Sequence, residues 1–328
     1  MVNTFIFGAG GVGCVYGWIL SKAGARVTAA CRTNYEAVKR NGIRIRSTKW
    51  GKQQYNPITV RTAAEARSHG PFDYILVCSK AFPGTAGLIK DAVSENTAIV
   101  LAQNGIGIED EYAKLYPDNT IVSGIVYLPV TQVEPGVAVH TTFLEQFEIG
   151  TFPANASASA KAQCQRLSDL WKAAGAKAPV FDDVQVARWN KLALNATLNP
   201  ITALTLCDDA NFIRSSPGAL DMAKDVMREV GRIASAAGYP IITEKVIEEH
   251  MQRHVDRLVT GGKEPSMLTD IRHNRPIEVE AILGNAVRIA QGLKVETPYL
   301  RLLYMLAKGR NYAVAQVDGW KPIATVEE

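Results

Sequence analysis

Cysteine is scarce in this sequence and nowhere paired. Cys14, Cys31, Cys78, Cys164 and Cys207 are odd in number and form no C-x-x-C, which argues against a disulfide framework and for a reducing compartment. No uninterrupted apolar run reaches the roughly 18 residues of a membrane span, so no membrane partner is expected. Blocks of like charge are also missing. The 36 basic and 32 acidic residues leave a formal net charge of +4 with no basic stripe, so nucleic acid is not an expected partner either. No basic segment precedes the first apolar run, and that run closes in a glycine turn. It reads as a buried strand, not a signal peptide, and the expected location is cytoplasmic.

What remains is ordinary globular material. The chain has 328 residues, 47% of them hydrophobic and 21% charged, enough to bury two cores without disulfides or metal. Short apolar segments in the first half ("TFIFGA", "ARVTAAC", "FDYILVCSK", "NTAIVLAQNG", "TIVSGIVYLPV") alternate with helical pattern, which predicts a parallel sheet with helices on both faces. "AVHTTFLEQFEIGTF" reads as a late antiparallel hairpin at the sheet edge, and "APVFDD" as one more short strand. Beyond it the pattern is almost wholly helical, over about 184–198, 217–237, 242–260, 277–291 and 298–310. The fold class is therefore α/β: an N-terminal Rossmann-type, doubly wound, mostly parallel sheet (1–182), then a smaller all-α C-terminal domain (183–328). The tail after Gln316 is expected to be loose. The apolar helices of the second half suit a homodimer surface and equally suit core.

The first apolar run leads into "GAGGVG", in which Gly8, Gly10 and Gly13, with Gly11 and Val12 between them, form a G-x-G-x-x-G. It follows a strand, opens a helix and is trailed by a second strand about 20 residues on, the context that makes this pattern a dinucleotide-binding turn. Each glycine has a separate use: a tight turn, close approach of pyrophosphate, and close packing of helix on strand. The second strand ends in Cys31 and Arg32 where an acid would grip an unphosphorylated ribose. A guanidinium suits a 2′-phosphate, so the expected cofactor is NADP, as NADPH. Lys80 and Asn104 follow the next two strands, where ligands of parallel sheets collect, although each alone also fits turn chemistry.

In "WNKLALNATLNPITAL" Lys191, Asn195 and Asn199 recur at i, i+4 and i+8 and share one helix face, with about 6 Å of rise between members. A cation and two amides on an apolar helix make a site candidate, and Pro200 is expected to end or kink that helix. Ser266 reads as a cap for a helix starting at Met267, and Glu278 and Glu280 as helix-start carboxylates. His250 and His254 have metal-compatible spacing but no third ligand, so no metal is expected and they read as an exposed face.

Taken in order, "GAGGVG", Arg32, Ser79–Lys80, "QNG" at 103–105, "KLALNATLNP" and "SMLTDIRHNRPIEVEAILG" resemble the ketopantoate reductase (2-dehydropantoate 2-reductase) family over nearly the whole chain. The resemblance implies NADPH-dependent reduction of a 2-oxo acid to a 2-hydroxy acid in a cleft between two domains, serving pantothenate and coenzyme A synthesis. It implies Lys191 as general acid and Glu278 as a second catalytic residue that orients substrate. Asn195, Asn199 and Ser266 then bind substrate, Lys80 and Asn104 line the cofactor cleft, and Arg32 meets the adenosine phosphate. Where the family commonly has Asn-Gly after "NPITAL", this chain has "TLCDDANF". An acid there, at Asp208 or Asp209, would weaken an anionic substrate unless Asn211 takes over. The alternatives are a reductase of another 2-oxo acid or ketone, and a non-catalytic NADP-binding sensor, which would have no use for Lys191 and Glu278.

Overall fold

The computed structural model describes residues 1–317; the tail expected to be loose lies outside them, apart from the backbone of Val317. In chain order the strands are β1 (Asn3–Phe7), β2 (Arg26–Ala30), β3 (Ile43–Ser47), β4 (Gly51–Tyr55), β5 (Ile58–Val60), β6 (Tyr74–Val77), β7 (Ala98–Leu101), β8 (Ile121–Tyr127), β9 (Val130–Glu134), β10 (Val137–His140) and β11 (Gln146–Phe152). Chain contacts divide the molecule into two compact units. The first is Met1–Lys80, Gly84–Gln103 and Ile108–Val184; the second is Gln185 onward together with Ala81–Pro83 and Asn104–Gly107.

In the first unit seven strands form a sheet in the order β11-β8-β7-β6-β1-β2-β5. All its pairings are parallel except β11 on β8. The "YILV" of β6 and the "AIVL" of β7 are buried throughout, as continuous apolar strands covered on both faces must be. The order reverses between β1 and β6, so the ends of these two strands bound the switch point at which doubly wound sheets take ligands. Tyr16, Phe147 and Trp171 pack ring on ring at 4.8–5.4 Å. They tie the helix Gly11–Lys22 to β11 and to the helix Ala158–Ala173.

A second sheet, β4-β3-β10-β9, also belongs to this unit, and it corrects the expected hairpin. β10 runs parallel to β3, whereas β11 leaves for the main sheet and pairs antiparallel with β8. Gly124 on β8 is the local reason: a Cβ there would meet the ring of Phe147 at 2.3 Å, so only a glycine lets that ring lie across the strand. The segment read as one more strand at "APVFDD" makes a single bridge, Ile149 to Val180, because Pro179 has no N–H to extend the ladder.

In the second unit the helix Gln185–Thr205 runs at the centre of the apolar core, packed by the helices Ala219–Ala236, Ser266–Arg272 and Pro298–Val317. It does not end at Pro200. Residues 196–203 are all buried, and the packing they gain outweighs the roughly 3 kcal/mol that an interior proline costs. The helix expected over 242–260 is broken into Glu244–Val255 and Arg257–Thr260. The one expected from 277 opens instead with a π-turn, Glu280–Gly284, and continues as Asn285–Gly292.

Candidate active site

The glycine turn is built as its spacing requires. Gly8 has φ +103°, and a Cβ on it would lie 2.6 Å from the backbone nitrogen of Ser79. A Cβ on Gly13 would lie 2.1 Å from the carbonyl oxygen of Gly8, so the helix seats directly on the turn. Gly10 has no atom within 4 Å of its missing Cβ, which leaves its face open to a ligand. Gly11 and Val12 begin the helix with no acidic residue in its first turn, so its unpaired N–H groups favour an anion. The carbonyl of Ala9 accepts from Asn34 Nδ2 at 2.8 Å and from Gln132 Nε2 at 2.9 Å, fixing the turn against the loop that carries Arg32. Arg32 is exposed. A cradle that two glycines must close and a third leaves open fits a dinucleotide pyrophosphate. Lys80 is half-buried three residues beyond β6, and the carbonyl just before it accepts from Gln103 Nε2 at 3.0 Å.

In the second unit Lys191, Asn195 and Asn199 lie on the helix Gln185–Thr205, with Lys191 and Asn195 half-buried and Asn199 buried. Ser266 is not the cap expected. Pro265 occupies that position, Ser266 is the first helical residue, and its side chain caps nothing. Its Oγ stands 3.4 Å from Asn199 Nδ2 instead. Glu278 is buried, and its Oε1 accepts the N–H of Ala81 at 2.9 Å.

Three interactions hold the residues just after Asn104 in this unit, and the side chains responsible, Arg188 and Asn285, lie outside the motifs. Arg188, buried one turn before Lys191, donates from a guanidinium N–H to the carbonyl of Gly105 at 2.9 Å. The N–H of Ile106 donates to the carbonyl of Ala281 at 3.0 Å, and Asn285 Nδ2 donates to the carbonyl of Ile106 at 2.6 Å. Gly105 has φ +110°, and a Cβ would sit 2.4 Å from the Ala281 oxygen, so only glycine permits this approach. The segment after β7 is thus clamped to the helix of Lys191 and to the π-turn that follows Glu278. A charged residue at 188 on an apolar helix was the one available sign of it.

Two expectations are corrected here. His250 and His254 are buried, because with Ile247 and Met251 they form the inner face of their helix. His250 bonds Asn190 Oδ1 at 3.0 Å; burial, reinforced by Arg253 and His254, pushes its pKa down to about 4. His254 Nδ1 lies 2.7 Å from Asp209 Oδ2. Among the described residues no group of three or more His, Cys, Asp or Glu could hold a metal. Asp209 is no loose acid either. Burial raises its pKa, but hydrogen bonds from His254, the N–H of Lys263 and Arg257 outweigh that and hold it at about 2. Asp208 caps the helix Asp209–Arg214 and also accepts from Asn211 Nδ2 at 2.8 Å. The acids of "CDDANF" are therefore occupied within their own element and its neighbours.

The chain is similar to known proteins over most of its length. Residues 4–154 match the family described as ketopantoate reductase PanE/ApbA, and residues 183–311 match its C-terminal counterpart. A crystal structure of 2-dehydropantoate 2-reductase from Methylococcus capsulatus is similar at 33% identity and TM-score 0.83, over 96% of this chain and 98% of that one. The 2-dehydropantoate 2-reductase of Nostoc sp. is 26% identical over 93% of this chain and 95% of its own. A ternary structure of D-mandelate dehydrogenase with NADH and anilino(oxo)acetate is alike in fold, at 21% identity and TM-score 0.82 over 95% and 99% of the two chains. No described helix is long and apolar enough to cross a membrane.

Proposed function

This chain belongs to the ketopantoate reductase PanE/ApbA family, a family of nicotinamide-dependent oxidoreductases, and we propose that within it the protein reduces 2-dehydropantoate to pantoate with NADPH. The reading rests above all on one observation. A lysine, Lys191, shares a half-buried helix face with Asn195 and Asn199, and Asn199 meets Ser266 at 3.4 Å.

The glycine turn from Gly8 to Gly13 holds the cofactor's pyrophosphate, Arg32 meets its 2′-phosphate, and Lys80 and Asn104 line its path. When bound, NADPH would supply the hydride that the carbonyl carbon of the 2-oxo acid takes up. Negative charge then builds on the carbonyl oxygen; the Lys191 ammonium stabilises it and delivers the proton that completes the hydroxyl. Asn195, Asn199 and Ser266 donate and accept hydrogen bonds to the substrate's polar groups, and Glu278, steadied by the Ala81 N–H, orients it. Because Asp209 is already paired with Arg257 and hydrogen-bonded to His254, the change at "CDDANF" brings no free acid against a substrate carboxylate. That favours 2-dehydropantoate over a reading in which the departure marks a different substrate. A role in pantothenate synthesis follows from the product.

The test is an initial-rate assay of NADPH oxidation with 2-dehydropantoate beside a panel of other 2-oxo acids, repeated with NADH. Preference for 2-dehydropantoate is the expected result. Turnover only of another acid would move the protein elsewhere in the family, and tight NADPH binding with no turnover on the panel would favour a sensor.

A further inference from the structure

We propose that Arg61 is a second cation for the adenosine 2′-phosphate, exchanging its bond to Glu36 for one to the phosphate; the inference rests on the NADPH reading above. The strand register puts it there. β2 pairs with β5 in parallel, Ala30 opposite Val60, and the Cys31 N–H continues the ladder to the Val60 carbonyl at 2.8 Å. Arg61 thus leaves β5 beside the point where Arg32 leaves β2, at the strand end where a Rossmann sheet receives the ribose 2′ group.

Its side chain is arranged before any ligand arrives. The guanidinium carbon lies 3.8 Å from the centre of the Tyr35 ring. Tyr35 belongs to the loop of Arg32, since its N–H donates to the Arg32 carbonyl at 3.2 Å. Stacking fixes the plane of the guanidinium and leaves its edge to donate, the geometry in which arginine grips phosphate. Lys39 approaches the same ring at 5.6 Å and adds positive charge. Two carboxylates oppose it: Glu36 Oε1 bonds the Arg61 guanidinium at 2.6 Å, and Glu65 accepts the Arg61 backbone N–H at 2.8 Å. The Arg61–Glu36 pair is exposed, with side chains 50% and 72% accessible, so it is weak enough for a phosphate dianion to displace. Glu65 is committed to the backbone and keeps its place.

The experiment measures binding of 2′-phospho-ADP-ribose and of ADP-ribose by calorimetry, and reads the ratio of the two affinities. Arg61→Ala should lower that ratio about tenfold, the worth of one hydrogen bond to a charged group. Glu36→Gln removes the competing carboxylate and should raise it a few-fold. A ratio unchanged in Arg61→Ala but collapsed in Arg32→Ala would overturn the proposal and leave the NADPH reading standing. A wild-type protein that binds both ligands equally would overturn the NADPH reading, and this proposal with it. A lower ratio in Glu36→Gln would show Glu36 supporting the site instead of competing for it, and would likewise overturn the exchange.

Discussion

Gly10 and Gly13 stand three residues apart in one turn, yet their missing side chains serve different ends. An alanine at Gly13 would drive its Cβ into the Gly8 carbonyl at 2.1 Å, which is backbone and has little room to yield. An alanine at Gly10 would meet no protein atom within 4 Å, and Gly10 has φ −79°, which any residue adopts. Gly13→Ala should therefore lose both stability and NADPH binding. Gly10→Ala should keep its unfolding midpoint to within about 0.5 kcal/mol while losing most of its affinity, because the Cβ enters the space meant for pyrophosphate. Urea titration beside NADPH fluorescence titration distinguishes the two, and a Gly10→Ala protein with full affinity would remove the turn from cofactor binding. On the proposed function, Lys191 is the corresponding residue for the chemistry. Positioned general acids contribute ~10²–10⁴-fold, so Lys191→Ala should lower kcat by about that much. A loss under tenfold in steady-state assays would take the proton-donor role from it.

Among the elements, what could be read from the sequence depended on how local each one is. β1, β2, β6, β7 and β8 are apolar runs buried by their own composition, and the glycine turn has its spacing, so each announces itself. β3 and β4 do not. Ile43 and Ile45 alternate with exposed Arg44 and Arg46, and β4 buries only Tyr55. Their sheet closes only when β10 arrives about 90 residues later, parallel to β3, and no local pattern records that pairing. Pro200 misleads for the same reason, since the packing that carries the helix through it comes from other helices. The candidate residues Lys191, Asn195 and Asn199 were legible as a stripe, whereas the clamp on the segment after β7 was not, because it closes on carbonyls. Arg188→Met tests that clamp. It leaves the Gly105 carbonyl without this buried donor, at a cost of about 1–3 kcal/mol, and loosens the segment holding Asn104, which the two bonds at Ile106 still tether. The expected result is a kcat lowered more than tenfold with the helical circular dichroism retained, and partial recovery in Arg188→Lys, which keeps a cationic N–H donor. A fall in stability alone, with kcat intact, would make Arg188 structural only.

At the scale of the whole molecule, two buried titrations work against the protein in acid. The folded state holds His250 at about 4 against an ordinary value of 6.5, because burial disfavours the imidazolium. The unfolded chain thus binds a proton that the folded chain refuses, and stability falls as pH drops from about 6.5 to about 4, then levels for this group. The shift corresponds to a loss on the order of 3 kcal/mol. Asp209 behaves in the same direction over a lower window. Its folded value of about 2 lies below the ordinary 3.8, so the stability it gives is complete above that value and is lost between about 4 and 2 as the carboxylate is protonated. Acid should therefore weaken the protein in two steps, the histidine first. Urea midpoints measured from pH 7.5 to 4.5 should decline in the wild type and run flatter in His250→Gln, which has nothing to protonate and keeps an N–H donor for Asn190 Oδ1. A parallel decline in both proteins would assign the acid lability to other groups.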